Sequence, residues 1–504
     1  MAVEPIYEKI ALSGRKTILA NEQKVQLKCS IKADEITEIL SVTATAGITS
    51  KECIDGQIKY LGKTVFYVCY QDGNGNIRKS ECTADFSGAE NNPLVKEGYP
   101  AFVCAEVIKT DYDLSGINLT AYAVVSVSID FIENSTCDAL SSGDGLITDN
   151  KDVSVIKSFG LKEGVYPIEE EFELSYSVKE VLFHKADVAV SSVSCGVGSV
   201  IVDGQVYLTV IVLQNKENCD IIKENRTIPF RMEIECEDAT PTMRAVAKVD
   251  LRSIKTDVEV DDERGTSKVV SSINLIGYGE AFFEDSVTVA VDAFSINHEL
   301  ELTKEKMTCY NHLDVKSFTA NVSGRAGIGE LPIGVTLFAV AGEKAEVLSS
   351  NLNAGVLTIT GVVTATGYFA DDKNKVFTRK LETTFEKSFE TEIFSECDEY
   401  ELSVKAVKGV ARLYSATEID FDVELAVILY PKQRYEIDCI KEVKTLSEKQ
   451  ICDHAISVYI PLEGEEMWSL AKRLNVCPET LAQLNADLTF PLKGDERIVV
   501  YRQG

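Results

Sequence analysis

The alternation of apolar and polar residues predicts β-strands along most of the chain. The segment 419–425 reads Ile-Asp-Phe-Asp-Val-Glu-Leu. This strict alternation is what a sheet with one buried and one solvent-exposed face requires. Residues 206–213 are rich in Val, Ile, Tyr and Thr, which fit a pleated surface. Polar segments at 71–76 and 370–374 provide turn residues between such strands. Helical periodicity is rare, so the pattern predicts antiparallel β domains of sandwich or barrel type.

An internal repeat divides the chain. Asp55-Gly56-Gln57 returns as Asp203-Gly204-Gln205, and a weaker copy appears at 354–359, so the three glycines Gly56, Gly204 and Gly355 lie 148 and 151 positions apart. A second anchor, Ile-Lys-Thr-Asp at 108–111, recurs at 254–257. This period is far longer than that of a solenoid, so each copy is predicted to be a domain.

The length of 504 residues also exceeds what one hydrophobic core accommodates. The prediction is mainly β: three tandem antiparallel β-rich domains, the third divergent, a linker, and a small C-terminal α+β domain. Their predicted bounds are 1–150, 151–295, 296–435, 436–454 and 455–504.

The C-terminal segment predicts a strand, two helices and a strand. One buried helical stripe is formed at spacings i, i+3, i+4 and i+7 by Met467, Leu470, Ala471 and Leu474. Asn475 fits a left-handed stop, and Pro478 suits the first turn of the next helix.

This segment resembles a LysM domain, through its Gly-Glu-Glu-Met-Trp-Ser-Leu-Ala helix start at 464–471 and the Pro-Leu-Lys-Gly before the last strand. The resemblance implies binding of N-acetylglucosamine-containing glycans or of a partner through the loops beside the helices. The positions that it implies are Gly464, Glu465, Glu466, Asn485, Phe490, Pro491 and Leu492. Glu465-Glu466 replaces the Asp-Thr common in the family. Trp468 is either a binding anchor or a packing residue at the domain edge.

With the triple β module upstream, the whole chain resembles the SipL family of spore coat morphogenesis proteins, in which tandem SPOCS domains precede a divergent LysM domain. The resemblance implies a cytoplasmic protein of the mother cell that acts at the forespore surface in the spore coat. Its implied partners are the coat-basement ATPase SpoIVA, contacted through the LysM-like domain, and other coat proteins. The alternative is a peptidoglycan-binding LysM protein of the cell wall or spore cortex.

Charge narrows the partners further. The chain carries 51 Lys+Arg against 80 Asp+Glu, a net charge of −29. The negative electrostatic potential of such a chain disfavours binding to nucleic acid and to anionic membrane surfaces. The N-terminus lacks the features of a secretory signal, and no stretch of about 20 apolar residues predicts a membrane span.

Candidate chemistry is sparse. The 14 cysteines include no C-x-x-C or zinc spacing, which favours buried, reduced thiols over later cross-links in an insoluble assembly. The four histidines lie outside any H-E-x-x-H motif. The sequence therefore predicts a non-enzymatic protein without cofactor or metal; an enzyme with its catalytic site hidden in one β domain is the rival interpretation.

Overall fold

The computed structural model describes residues 3–29, 36–115, 118–215, 221–353, 355–371, 375–390, 397, 399–450 and 456–501. Some sequence predictions lie outside these residues: Ala354 of the weak repeat copy, most of the turn at 370–374, and the ends of the C-terminal domain.

The chain forms 21 strands and two short helices among the described residues, which confirms the mainly β fold class. The first β module (residues 4–144) contains β1 (Glu4–Cys29), β2 (Glu38–Ile54), β3 (Gln57–Gln71), β4 (Ile77–Asn91), β5 (Ala101–Ser115) and β6 (Asn118–Asp144). The second (147–294) contains β7 (Ile147–Leu174), β8 (Val178–Cys195), β9 (Ser199–Gln214), β10 (Ile221–Glu235), β11 (Arg244–Asp261) and β12 (Thr266–Phe294).

The third β module (298–448) contains β13 (His298–His312), β14 (Lys316–Gly327), β15 (Thr336–Asn353), β16 (Val356–Ala370), β17 (Val376–Glu390), β18 (Glu399–Leu413) and β19 (Glu418–Glu448). The C-terminal unit (456–501) contains β20 (Ile456–Tyr459), α1 (Met467–Leu474), α2 (Pro478–Leu484) and β21 (Ile498–Tyr501). Residues 436–448, predicted as a linker, instead extend β19, because β13 pairs with them antiparallel.

The three β modules share one topology. Each has a three-stranded meander, ordered β2-β3-β4, β8-β9-β10 and β15-β16-β17. Each also has a sheet with its last strand in the centre, ordered β1-β6-β5 and β7-β12-β11, while β13 and β14 together take the place of the first strand beside β19 and β18. All of these pairings are antiparallel. The fold therefore repeats the same unit three times.

One hydrophobic core lies between the two sheets of each module. Its pattern follows the sequence alternation: Ile419, Phe421, Val423 and Leu425 of β19 are buried, whereas Asp422 between them is exposed. The predicted strand at 419–425 is thus confirmed, since the apolar residues face the meander and the carboxylates face away.

The turn glycines correct the register of the repeat. Gly56 and Gly355 lie in the hairpin turns before β3 and β16, with φ of 75° and 81°. Gly204 does not correspond to them, because it lies inside β9. The turn glycine of the second module is Gly198, with φ of 72°. These turns use glycine for its access to positive φ.

Gly204 has a different role, which it shares with Gly62 and Gly361. Each of these glycines lies opposite a phenylalanine on the neighbouring strand, in the pairs Gly62–Phe86, Gly204–Phe230 and Gly361–Phe385. A Cβ at these glycines would lie 2.1, 2.5 and 2.6 Å from the Cζ of the facing ring. The missing side chain therefore leaves room for the ring, and the same packing recurs in every module.

The modules contact one another around a shared centre. One apolar cluster combines meander residues of all three modules, among them Leu40, Phe183 and Tyr368. A second combines the long terminal strands through Ile10, Ala139, Val155, Val289 and Cys439. Burial of apolar side chains from all three modules in the same clusters joins the modules into one body.

Polar contacts between modules recur at equivalent β-bulges. Ile108 of β5 and Val407 of β18 are each skipped in the ladder with the adjacent strand. Lys344 donates to the carbonyl of Ile108 at 2.6 Å, and Lys185 donates to that of Ala406 at 3.5 Å. A lysine from one meander thus donates to the carbonyl of a residue at or beside a bulge in another module.

Candidate functional site: the C-terminal unit and its seat on the second module

The C-terminal unit has the order strand, helix, helix, strand, with β20 and β21 paired antiparallel. Leu470, Ala471 and Leu474 of α1 are buried, as the apolar stripe predicted, and Met467 packs at the edge of the same core. Asn475 ends α1 in the left-handed conformation, with φ of 56°, and Pro478 begins α2. These local predictions are confirmed because each depends on residues within one turn.

Glu465 is buried in an ion pair within the unit. Arg473 donates from Nε and Nη2 to its two carboxylate oxygens, both at 2.8 Å, and the backbone N–H of Leu462 donates to it at 2.9 Å. The hydrogen bonds from Arg473 hold the pKa of Glu465 below its usual value. Glu465 therefore fixes the loop before α1 against the end of that helix, whereas its neighbour Glu466 is exposed.

The two loops predicted to form a binding site do lie together. The N–H of Gly464 donates to the carbonyl of Leu492 at 2.7 Å, and the N–H of Leu492 donates to the carbonyl of Glu465 at 3.0 Å. Asn485 pairs through its side chain with both backbone groups of Val499. Asn485 and Leu492 are thus held by structural contacts, and Leu492 is buried.

Few of the predicted positions remain open to a ligand at these loops. Gly464, Glu466 and Pro491 are exposed, and Phe490 is half-buried and joined to Pro491 by a cis peptide bond. Gly464 has φ of 79°, a conformation for which glycine is suited.

Trp468 contacts the second module. Its Nε1–H donates to Asp292 Oδ2 at 2.9 Å, and its ring meets Phe294 edge-on at 5.3 Å between centroids. Lys472 donates to the same carboxylate at 2.6 Å. Although burial opposes ionisation, the hydrogen bonds from Lys472 and Trp468 keep the pKa of Asp292 below its usual value. Trp468 was expected to be either a binding anchor or a packing residue, and in the structure it makes packing contacts.

Further hydrogen bonds complete this seat. Asn475 Nδ2 donates to the carbonyl of Ile296 at 2.6 Å, and Lys449 Nζ donates to Asn475 Oδ1 at 2.9 Å. Sequence reasoning missed Asp292 and Phe294, because they lie more than 170 positions from α1, and no local pattern links such distant segments.

The outer face of the two-stranded sheet is apolar and exposed. Ile456 and Val458 of β20, and Ile460 and Leu462 in the segment that follows it, are alternate residues and are 60–70% exposed. Val458 lies opposite Val499, and Ile456 lies opposite Tyr501, both also exposed. We call these six residues the outer apolar face. Sequence reasoning missed this face, although alternate apolar residues from 456 to 462 were a visible signal.

Other candidate chemistry has structural roles. His184 is buried, and its Nε2 shares a hydrogen bond of 2.9 Å with Tyr67 Oη of the first module. Nine of the described cysteines are free, but Cys82 is disulfide-bonded, which corrects the expectation of reduced thiols at that position. Within the described residues, no group of three or more His, Cys, Asp or Glu is placed to hold a metal ion.

No helix in the described part of the chain is long and apolar enough to cross a membrane.

Residues 177–259 match the profile of the protein family described as SipL, SPOCS domain. The match covers β8, β9, β10 and most of β11. It supports a SipL-like, sporulation-related protein. No curated protein and no solved structure matches the chain.

Proposed function

We propose that the protein is a non-enzymatic assembly protein of the spore coat, and that its C-terminal unit is a LysM-like module that docks on the coat-basement ATPase SpoIVA. The proposed location is the mother-cell cytoplasm at the forespore surface. Other coat proteins are the further partners.

The outer apolar face is the observation that carries this proposal. Six exposed apolar side chains on β20, β21 and the segment after β20 present a surface that a soluble protein normally covers. A protein partner provides apolar groups to cover it, whereas a glycan would use the loops around Gly464 and Pro491. Because Trp468 is engaged with Asp292, its role in docking is to orient this face.

The β modules support a scaffolding role. The matched SPOCS region has the topology that the first and third modules repeat, so we assign all three modules to the same type. Several interaction modules in one chain raise the effective concentration of each at a multivalent coat layer.

The test measures binding of the full-length protein to purified SpoIVA by biolayer interferometry. Ile460→Asp introduces a charge among the residues of the outer apolar face and should weaken binding at least tenfold, because the carboxylate would be desolvated in the interface. Val197→Asp is the matched control, since Val197 is 86% exposed on a hairpin of the second module, and it should leave binding unchanged.

Peptidoglycan sedimentation with the same proteins tests the alternative. Retention on peptidoglycan together with no binding to SpoIVA would make the chain a glycan-binding LysM protein. Equal loss of SpoIVA binding in both variants would instead remove the outer apolar face from the interface.

A further inference from the structure

Two free thiols from different modules lie in contact. Cys137 of β6 and Cys439 of β19 are 302 positions apart, yet their Sγ atoms are 3.8 Å apart. Each belongs to a paired strand, with Cys137 opposite Ile10 and Cys439 opposite Glu305. Hydrogen-bonded ladders therefore hold both backbones in place, and the contact belongs to the interface between the first and third modules.

The two thiols differ in accessibility. Cys137 is partly exposed, whereas Cys439 is fully buried and its Sγ–H donates to the carbonyl of Glu305 at 3.5 Å. Burial raises the pKa of Cys439 to about 12, which keeps it protonated and protects it from direct oxidation. A dissolved oxidant therefore reaches Cys137 first.

A basic group lies beside the pair. Lys441 Nζ contacts Glu305 at 2.8 Å, and its charge interacts with both sulfurs. The site thus combines an accessible thiol with a buried second thiol, beside the ion pair of Lys441 and Glu305.

We propose that Cys137 and Cys439 form a peroxide-driven disulfide that locks the first module to the third. Hydrogen peroxide oxidises the Cys137 thiol to a sulfenic acid and is reduced to water. As the Cys439 thiol gives its proton to the sulfenic hydroxyl beside it, the Cys439 sulfur attacks the Cys137 sulfur, the S–O bond breaks, and a second water leaves. Two thiols and one peroxide give one disulfide and two waters.

The geometry requires only a small movement. A disulfide has an S–S distance of about 2.05 Å, so the sulfurs must approach by about 1.8 Å, a change that rotation of either side chain can supply. The resulting bond would close the contact among the three modules at the apolar cluster that contains Ile10, Val155 and Val289.

The test treats the full-length protein, in which Cys82 keeps its disulfide and the described free cysteines are reduced, with a small excess of hydrogen peroxide. Intact mass should fall by about 2 Da for one new disulfide. Trypsin digestion without reductant should then yield peptide 110–151 linked to peptide 435–441, each of which contains one cysteine. The thermal midpoint of the oxidised protein should exceed that of the reduced protein.

Cys137→Ser and Cys439→Ser should each abolish the linked peptide, and Cys53→Ser, at another free and partly buried thiol, should retain it. Oxidation in guanidinium serves as the unfolded reference, in which no single pair should dominate. The proposal is overturned if native wild-type protein gives another disulfide first, or only sulfinic acid at Cys137. This readout uses wild-type protein and so does not depend on the variants folding.

Discussion

Substitution of His184 by Gln should flatten the acid sensitivity of the contact between the first and second modules. Burial, with a smaller contribution from the charge of Lys79, lowers the pKa of His184 from 6.5 to about 4. The neutral imidazole shares a hydrogen bond with Tyr67 across the module boundary. Protonation would place an uncompensated charge in this interface.

The magnitude follows from proton linkage. The unfolded chain binds a proton at His184 below pH 6.5, whereas the folded protein does so only near pH 4. The contribution of neutral His184 to the free energy of unfolding is therefore complete above pH 6.5 and is lost as the pH decreases to 4. The full loss is about 3 kcal/mol, and at pH 5 it reaches about 2 kcal/mol.

The assay measures urea unfolding by circular dichroism at pH 7 and pH 5 for wild type and His184→Gln. The free energy of unfolding of the variant should change about 2 kcal/mol less between these pH values than that of wild type. His298→Gln, at a half-buried histidine of β13, is the matched control and should behave like wild type. Parallel pH dependences in wild type and His184→Gln would refute the reasoning.

Two further substitutions test the packing. Asp292→Ala removes the acceptor of Trp468 and should weaken the seat of the C-terminal unit by about 2 kcal/mol, because hydrogen bonds to a charged group are lost. Trp468 is the only tryptophan, so a red shift of its fluorescence reports the change, and an unaltered spectrum would argue against the seat. Gly361→Ala should lower the free energy of unfolding by about 3 kcal/mol, since the new Cβ would lie 2.3 Å from the carbonyl oxygen of Glu346. Gly327→Ala is the control, because a Cβ there would meet open space. Equal thermal midpoints for the two variants would contradict this prediction.

The repeat illustrates where sequence comparison reached its limit. Short sequence identities align Gly56 with Gly204 in the repeat. The strand register instead makes Gly204 equivalent to Gly62 and Gly361, so these packing glycines lie 142 and 157 positions apart. A glycine in a turn and a glycine under a ring look alike in one sequence. Only the facing strand, through Phe86 or Phe230, distinguishes the two roles.

The sequence alone determined the features that depend on near neighbours. Alternation at 419–425 specified a strand with one buried face, and the spacing of Leu470 and Leu474 specified the buried stripe of α1. Both follow from periods of two and 3.6 residues, which the chain encodes locally. Three β modules were predicted from the internal repeat and the chain length, and the small α+β end from its helical spacing.

Tertiary structure decided which surfaces are covered. Trp468 lies against Phe294, Cys137 meets Cys439, and residues 436–448 pair with β13 because segments far apart in sequence bring their faces together. The outer apolar face is exposed for the same reason, since no described segment packs over it. Burial depends on long-range partners, which the period of a single strand does not specify.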